Sequence, residues 1–197
     1  RTDDDGYIIE GATGLESVQQ WGWIFRAIQA SDEIGTIFLG AIEWDYVEWT
    51  YLPTIYRSID QGESFTKIVE MTSANGFTVG TSNFDLWIPN NGSNDPIVIN
   101  DDDVYLLDGN SFEMISIGNI NSGSNGNNIL IGGEYDQGQI FLHARVGDMH
   151  YSSLNGGNSW ENMGTLPTGT FTINSFECSN IDPDKLAIGN VDGYRTN

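Results

Sequence analysis

Apolar residues in this chain fall in short runs, parted by clusters of Gly, Asn, Asp and Ser, and none keeps a helical period beyond about two turns. The pattern predicts strands at 7–10, 23–29, 35–42, 54–58 and 65–69, then at 84–88, 97–99, 104–107 and 112–115. A third group is predicted at 129–132, 139–144, 149–152 and 160–163, and a fourth at 171–176, 185–189 and 193–195. The run 35–42 is almost continuously apolar, as expected of a strand buried on both faces. Residues 43–53 read as the longest connector of their class, and the Gly/Asn/Ser-rich stretch 119–128 reads as a flexible loop.

One turn recurs between these runs. Ser153-Leu154-Asn155-Gly156-Gly157-Asn158-Ser159-Trp160 has the form Ser-x-Asn-x-Gly-x-Ser-Trp, and Ser58-Ile59-Asp60-Gln61-Gly62-Glu63-Ser64-Phe65 repeats it. Looser copies stand at 2–9 and 105–112, and another begins at 193–197. Each position has a physical task. Asp60 or Asn155 can accept hydrogen bonds from the turn's own N–H groups, Gly62 or Gly157 can take a positive φ, and Phe65 or Trp160 can bury a ring against a neighbouring unit. The copies start near residues 2, 58, 106, 153 and 196, at intervals of 56, 48, 47 and 43. A period of roughly 40–50 residues with four strands per unit is the signature of a β-propeller. The predicted fold is therefore all-β, with four-stranded antiparallel blades and about four blades' worth of strands. Its single domain, 1–197, divides into units near 22–70, 80–118, 128–166 and 170–197 plus 1–14. Arg1-Thr2-Asp3 and Arg195-Thr196-Asn197 match in register. Two arrangements stay open at this point: strand 7–10 completes the last blade and closes a four-bladed ring, or the chain is a fragment of a larger propeller.

The turn resembles the Asp-box, or BNR repeat, of sialidases, sortilin-like receptors and related propellers. The run 182–194 is similar to the segment that leads into such a box in the sortilin-like and xyloglucanase-like members. That resemblance implies a structural role for Ser58, Asp60, Gly62, Phe65, Ser153, Asn155, Gly157 and Trp160, on the face opposite any ligand site. The open face would collect the second-to-third connectors. Among them, 43–53 carries Glu43, Trp44, Asp45 and Trp49, a set suited to stacking on pyranose rings and accepting hydroxyl hydrogen bonds. Phe25-Arg26-Ala27-Ile28 and Leu142-His143-Ala144-Arg145 resemble the first two arginine segments of sialidases. The resemblance implies that Arg26 and Arg145 grip a carboxylate, as two members of a trio. Ala27 and Ile28 replace the family's Ile-Pro, and no third arginine and no Tyr–Glu nucleophile pair can be assigned, so no catalytic residue is named.

Charge narrows the partners. Twenty-eight acidic against seven basic residues give a net charge of −21, which argues against nucleic acid and anionic membrane. No apolar stretch is long enough for membrane insertion. The acidity fits an extracellular or cell-surface setting. The single Cys178 can form no internal disulfide and reads as a buried structural thiol. No cofactor is expected. Asn100-Asp101-Asp102-Asp103 offers oxygens to Ca²⁺ but matches no calcium-loop spacing, and His143 and His150 with one Cys do not make a zinc site. Three functions follow as expectations. The first is a non-catalytic module that binds glycan or extracellular protein through its open face. The second is part of a sialidase-like or xyloglucanase-like glycoside hydrolase. The third is a structural repeat whose incomplete blades self-associate.

Overall fold

The computed structural model describes residues 12–15, 25–47, 49–80, 83–123, 129–166, 173–178 and 186–190. Sheet 1 is an antiparallel meander of β1 (Phe25–Ala30), β2 (Ile37–Asp45), β3 (Thr50–Ser58) and β4 (Thr66–Glu70). Sheet 2 repeats it with β5 (Phe84–Trp87), β6 (Ile97–Asn100), β7 (Asp103–Leu107) and β8 (Met114–Asn119). Sheet 3 follows with β9 (Ile129–Asp136), β10 (Gln139–Val146), β11 (Met149–Ser153) and β12 (Glu161–Thr165). Of a fourth sheet, β13 (Ile173–Cys178) and β14 (Leu186–Asn190) are described, the former holding Cys178. The sole helical turn among the described residues is the 3-10 turn Ser73–Asn75. The first strands adjoin in succession: β1 lies against β5, β5 against β9 and β9 against β13. Sheets stacked by their first strands, each running outward in chain order, are the blades of a β-propeller. The strands expected at 7–10 and 193–195, and with them ring closure or its alternative, lie outside the described residues.

Alternation within strands explains how the blades cohere. In β6, Val98 turns toward sheet 1, where it joins Phe38, Ile55, Phe84 and Leu107 in one core. Its neighbours Ile97 and Ile99 turn the other way and join Val104, Ile131, Leu142 and Val146 in a second core, against sheet 3. A strand clad on both sides favours apolar residues at successive positions, which is why 97–99 reads as an unbroken run. Each such side chain contributes about 1.5–3 kcal/mol by leaving water. A third core packs Leu39, Ala41, Tyr56 and Phe65 beneath Ala12 and Leu15.

The two complete turns are built alike. Ser58 Oγ accepts from Gly62 N–H at 2.9 Å and donates to Asp60 Oδ1 at 2.7 Å, while Asp60 Oδ1 accepts from Ser64 N–H at 2.9 Å. In the other, Ser153 Oγ accepts from Gly157 N–H at 2.9 Å and donates to Asn155 Oδ1 at 3.0 Å, which accepts from Ser159 N–H at 3.0 Å. Gly62 and Gly157 take φ of 85° and 96°, as the turn demands. Phe65 is buried; Trp160 is half-buried against the core between sheets 2 and 3, and its indole N–H donates to Gly157 O at 3.0 Å. The turn at 108–112 lacks the leading Ser. There Asp108 alone accepts from Asn110 and Ser111 N–H, at 2.8 and 2.7 Å, and Phe112 has φ 60°.

Two segments depart from expectation. Residues 43–53 are not a connector: β2 and β3 run on as a hairpin through the pairs Glu43↔Leu52, Trp44↔Tyr51 and Asp45↔Thr50. Cross-strand aromatic pairing holds this ladder together where the acids and Pro53 suggested a loop. Phe112 does not open a strand either, because the tighter turn delays β8 to Met114.

Candidate functional site

Three turns at 59–65, 108–113 and 154–160 share one end of the sheets with the first-to-second connectors, as Gln61 N–H donating to Gly35 O at 3.0 Å and Gly109 N–H to Asp95 Oδ1 at 2.8 Å show. At the other end, the hairpin tips at 46–47 and 49, at 101–102 and at 147–148 meet the connectors that lead from one sheet to the next. Gly80 N–H donates to Tyr51 O at 2.9 Å, Ile120 N–H to Asp102 O at 2.8 Å, and Leu166 N–H to Asp148 O at 2.8 Å. This end is the open face.

The most prominent feature of that face is the β2–β3 tip. Trp44 meets Tyr51 edge-on at 4.8 Å between ring centroids and Trp49 edge-on at 6.3 Å. Trp49 is 73% exposed and sits at φ 54°, a left-handed conformation unfavourable for so large a residue. Asp45 Oδ1 accepts from Val47 N–H at 2.6 Å and folds the tip over. Tyr46, Val47 and Tyr51 are exposed beside it. An aromatic cluster with exposed rings and a carboxylate at its base can stack on an apolar ring face and accept hydroxyl hydrogen bonds.

The other residues singled out by sequence lie apart from this tip. Glu43 is buried within sheet 1, where it accepts from the Tyr56 hydroxyl and from Lys67 Nζ at 2.6 Å. Burial alone would lower the Lys67 pKa, but its hydrogen bonds to Glu43 and Glu70 outweigh this and raise it. Arg145 is 3% exposed, and burial lowers its pKa against a smaller opposing pull from Asp148. It pairs across the ladder with His150 and Leu130, one residue before the end of β10 and next to the 147–148 tip, with its side chain buried within sheet 3. Arg26 sits in β1 at the register shift between Phe25 and Ala27; its side chain lies outside what is described. The acids at 101–103 turn to three different partners: Asp101 to Asn83 Nδ2 at 2.8 Å, Asp102 to Ser122 Oγ at 2.6 Å, and Asp103 to Asn119 Nδ2 at 2.6 Å. Among the described residues no cluster of three His, Cys, Asp or Glu side chains could hold a metal ion.

Two polar contacts inside the sheets were not anticipated from the sequence. Asp85 of β5 is buried and accepts from Leu86 N–H and, across to β9, from Ile131 N–H, both at 2.9 Å. His143 Nδ1 lies 3.0 Å from His150 Nε2, a contact that a single N–H fills, and the rings stack. Burial first, then the charge of His143, depress the His150 pKa to about 4. Nothing in the local pattern marks Asp85, because its partner lies 46 residues away. The His pair was legible as spacing alone: β10 and β11 form a tight hairpin that brings positions 143 and 150 together diagonally.

No protein-family model and no curated protein matches this sequence. Among solved structures, the GH74 enzyme of Niastella koreensis superposes with a TM-score of 0.57 at 19% identity, over 86% of this chain and 26% of the enzyme. YCF48 of Cyanidioschyzon merolae superposes with a TM-score of 0.40 at 10% identity, over 85% of this chain and 71% of its own. This chain thus spans about a quarter of the length of the GH74 enzyme. The first likeness, taken with the blade order above, establishes the fold: this is an all-β chain of four-stranded propeller blades.

Proposed function

We propose that this chain is an Asp-box propeller module of an extracellular or cell-surface protein that binds glycan through its open face without catalysing a reaction on it. The observation that carries this reading is the Trp44–Trp49–Tyr51 cluster at the β2–β3 tip, in which Trp49 and Tyr51 are exposed around a half-buried Trp44. The shared hydrogen-bond scheme of the turns at Ser58 and Ser153 supports the Asp-box assignment. Trp49→Ala is expected to leave the melting temperature within about 2 °C and to weaken glycan binding about tenfold, the loss of one stacking contact of roughly 1.4 kcal/mol. Calorimetric titration of the best glycan from an array, with both proteins, checks it; equal affinities would remove the tip from the site.

The likeness to the GH74 enzyme favours a second reading, a piece of a glycoside hydrolase. Release of reducing sugar from array-selected glycans by this chain would support that reading against the first.

A further inference from the structure

An open groove of about 460 Å³ runs between the outer strands of sheets 1 and 2, away from the aromatic tip. Its floor is apolar: Ile68, Phe77, Phe112 and Met114 are each half-buried against the core between the two sheets. Its lips are acidic and exposed, with Glu70 at the end of β4 and Glu113 just before β8. Glu70 shares Lys67 with Glu43, so that trio keeps one negative charge in excess. Glu113 makes no ion pair among the described residues. The walls matter as much as the lips. β8 ends the strand order of sheet 2, with a ladder partner on one side only among the described residues, whereas the edge leading into β4 is met by Thr13, which bridges to Ser64. An edge strand beside an apolar trough is the geometry used to add an extended segment to a sheet.

We infer that this groove docks an extended peptide segment in which apolar residues alternate with Lys or Arg. The period of two in an extended chain puts its apolar side chains on the floor and its cations at the height of Glu70 and Glu113. Its backbone pairs with the outer edge of β8. A second copy of this chain fits poorly, because each copy carries a net charge of −21 and only seven basic residues.

The test uses a fluorescein-labelled heptapeptide of alternating Lys and Leu, with a photo-reactive leucine at its centre, in about 0.15 M salt so that unlocalised attraction is screened. Saturable one-to-one binding with cross-links to β4 or β8 is expected. Replacing the leucines by glycine at equal charge is expected to weaken binding at least about tenfold, and Glu113→Gln, or Ile115→Ser at an exposed residue that also lines the groove, about threefold or more. Both substituted side chains are exposed, so the fold should tolerate the changes. Equal binding by the glycine peptide would overturn the proposal, as would cross-links elsewhere on the protein. Concentration-dependent dimers that the peptide does not dissociate would overturn it in favour of a second copy as the occupant. None of these readouts depends on glycan binding at the open face.

Discussion

At Asp60, one side chain organises a whole turn. Ser64 donates to it from both its hydroxyl and its backbone, Ser58 adds a third bond, and together they hold its carboxyl at about pH 2 against an ordinary 3.8. The fold favours the charged form, so the unfolded chain takes up the proton first as acid is added. The contribution is whole above about pH 4 and gone below about pH 2. Asn155 does the same work without charge. Its amide donates to Ser159 Oγ at 2.8 Å, where Asp60 accepts from Ser64 Oγ at 2.5 Å, and the hydroxyl simply reverses its role. Asp60→Asn is therefore expected to leave the melting temperature at pH 7 nearly unchanged while flattening the loss between pH 4 and 2. Paired thermal melts across that range check both parts. His150 acts in a separate window. Half-buried and held near 4 rather than 6.5, it resists the proton that the unfolded chain accepts, so stability should fall as pH drops from about 6.5 to about 4. His150→Gln should flatten that limb of a melting-temperature profile and leave the limb below pH 4 in place.

Among the elements, glycine marks where two blades touch backbone to backbone. A Cβ on Gly118 of β8 would lie 2.0 Å from Gly157 O, in the turn of the next sheet. Gly118→Ala is thus expected to cost about 1–3 kcal/mol by pushing that turn away, read as a lower midpoint in urea unfolding; an unchanged midpoint would mean the turn is not held there. How far the elements could be read in advance depended on how local their cause was. The stretch 97–99 of β6 was legible because burial on both faces writes itself as an apolar run. The β2–β3 hairpin was not, because Glu43 looks like a loop residue until Tyr56 and Lys67 come within reach from other strands. Phe112 was misplaced for a related reason: a missing Ser changes the turn, and the ring's position follows the turn, not the motif. The stacking tip was visible as composition, but its shape required the Trp44↔Tyr51 pairing to be known.

For the molecule as a whole, the repeat spacing carried the fold because every unit solves the same packing problem with the same corner. It carried much less of the site, which rests on one hairpin that the other sheets do not copy. The surface charge is also a whole-molecule property. Mutual repulsion of a −21 charge opposes compactness and is screened by salt. The melting temperature is expected to rise as NaCl increases from about 0.01 M to about 1 M, where the Debye length shrinks from roughly 30 to 3 Å. A flat profile would show that the acids are already spaced beyond mutual influence. The sheets, finally, share no strand ladder among the described residues; side-chain packing and a few bonds such as Asp85 to Ile131 tie one to the next. Under tension along the chain such an array should not yield in one event. Each sheet can peel away with its own hydrogen bonds still formed and unravel afterwards, so the protein behaves as a string of extensible links more than as a single rivet.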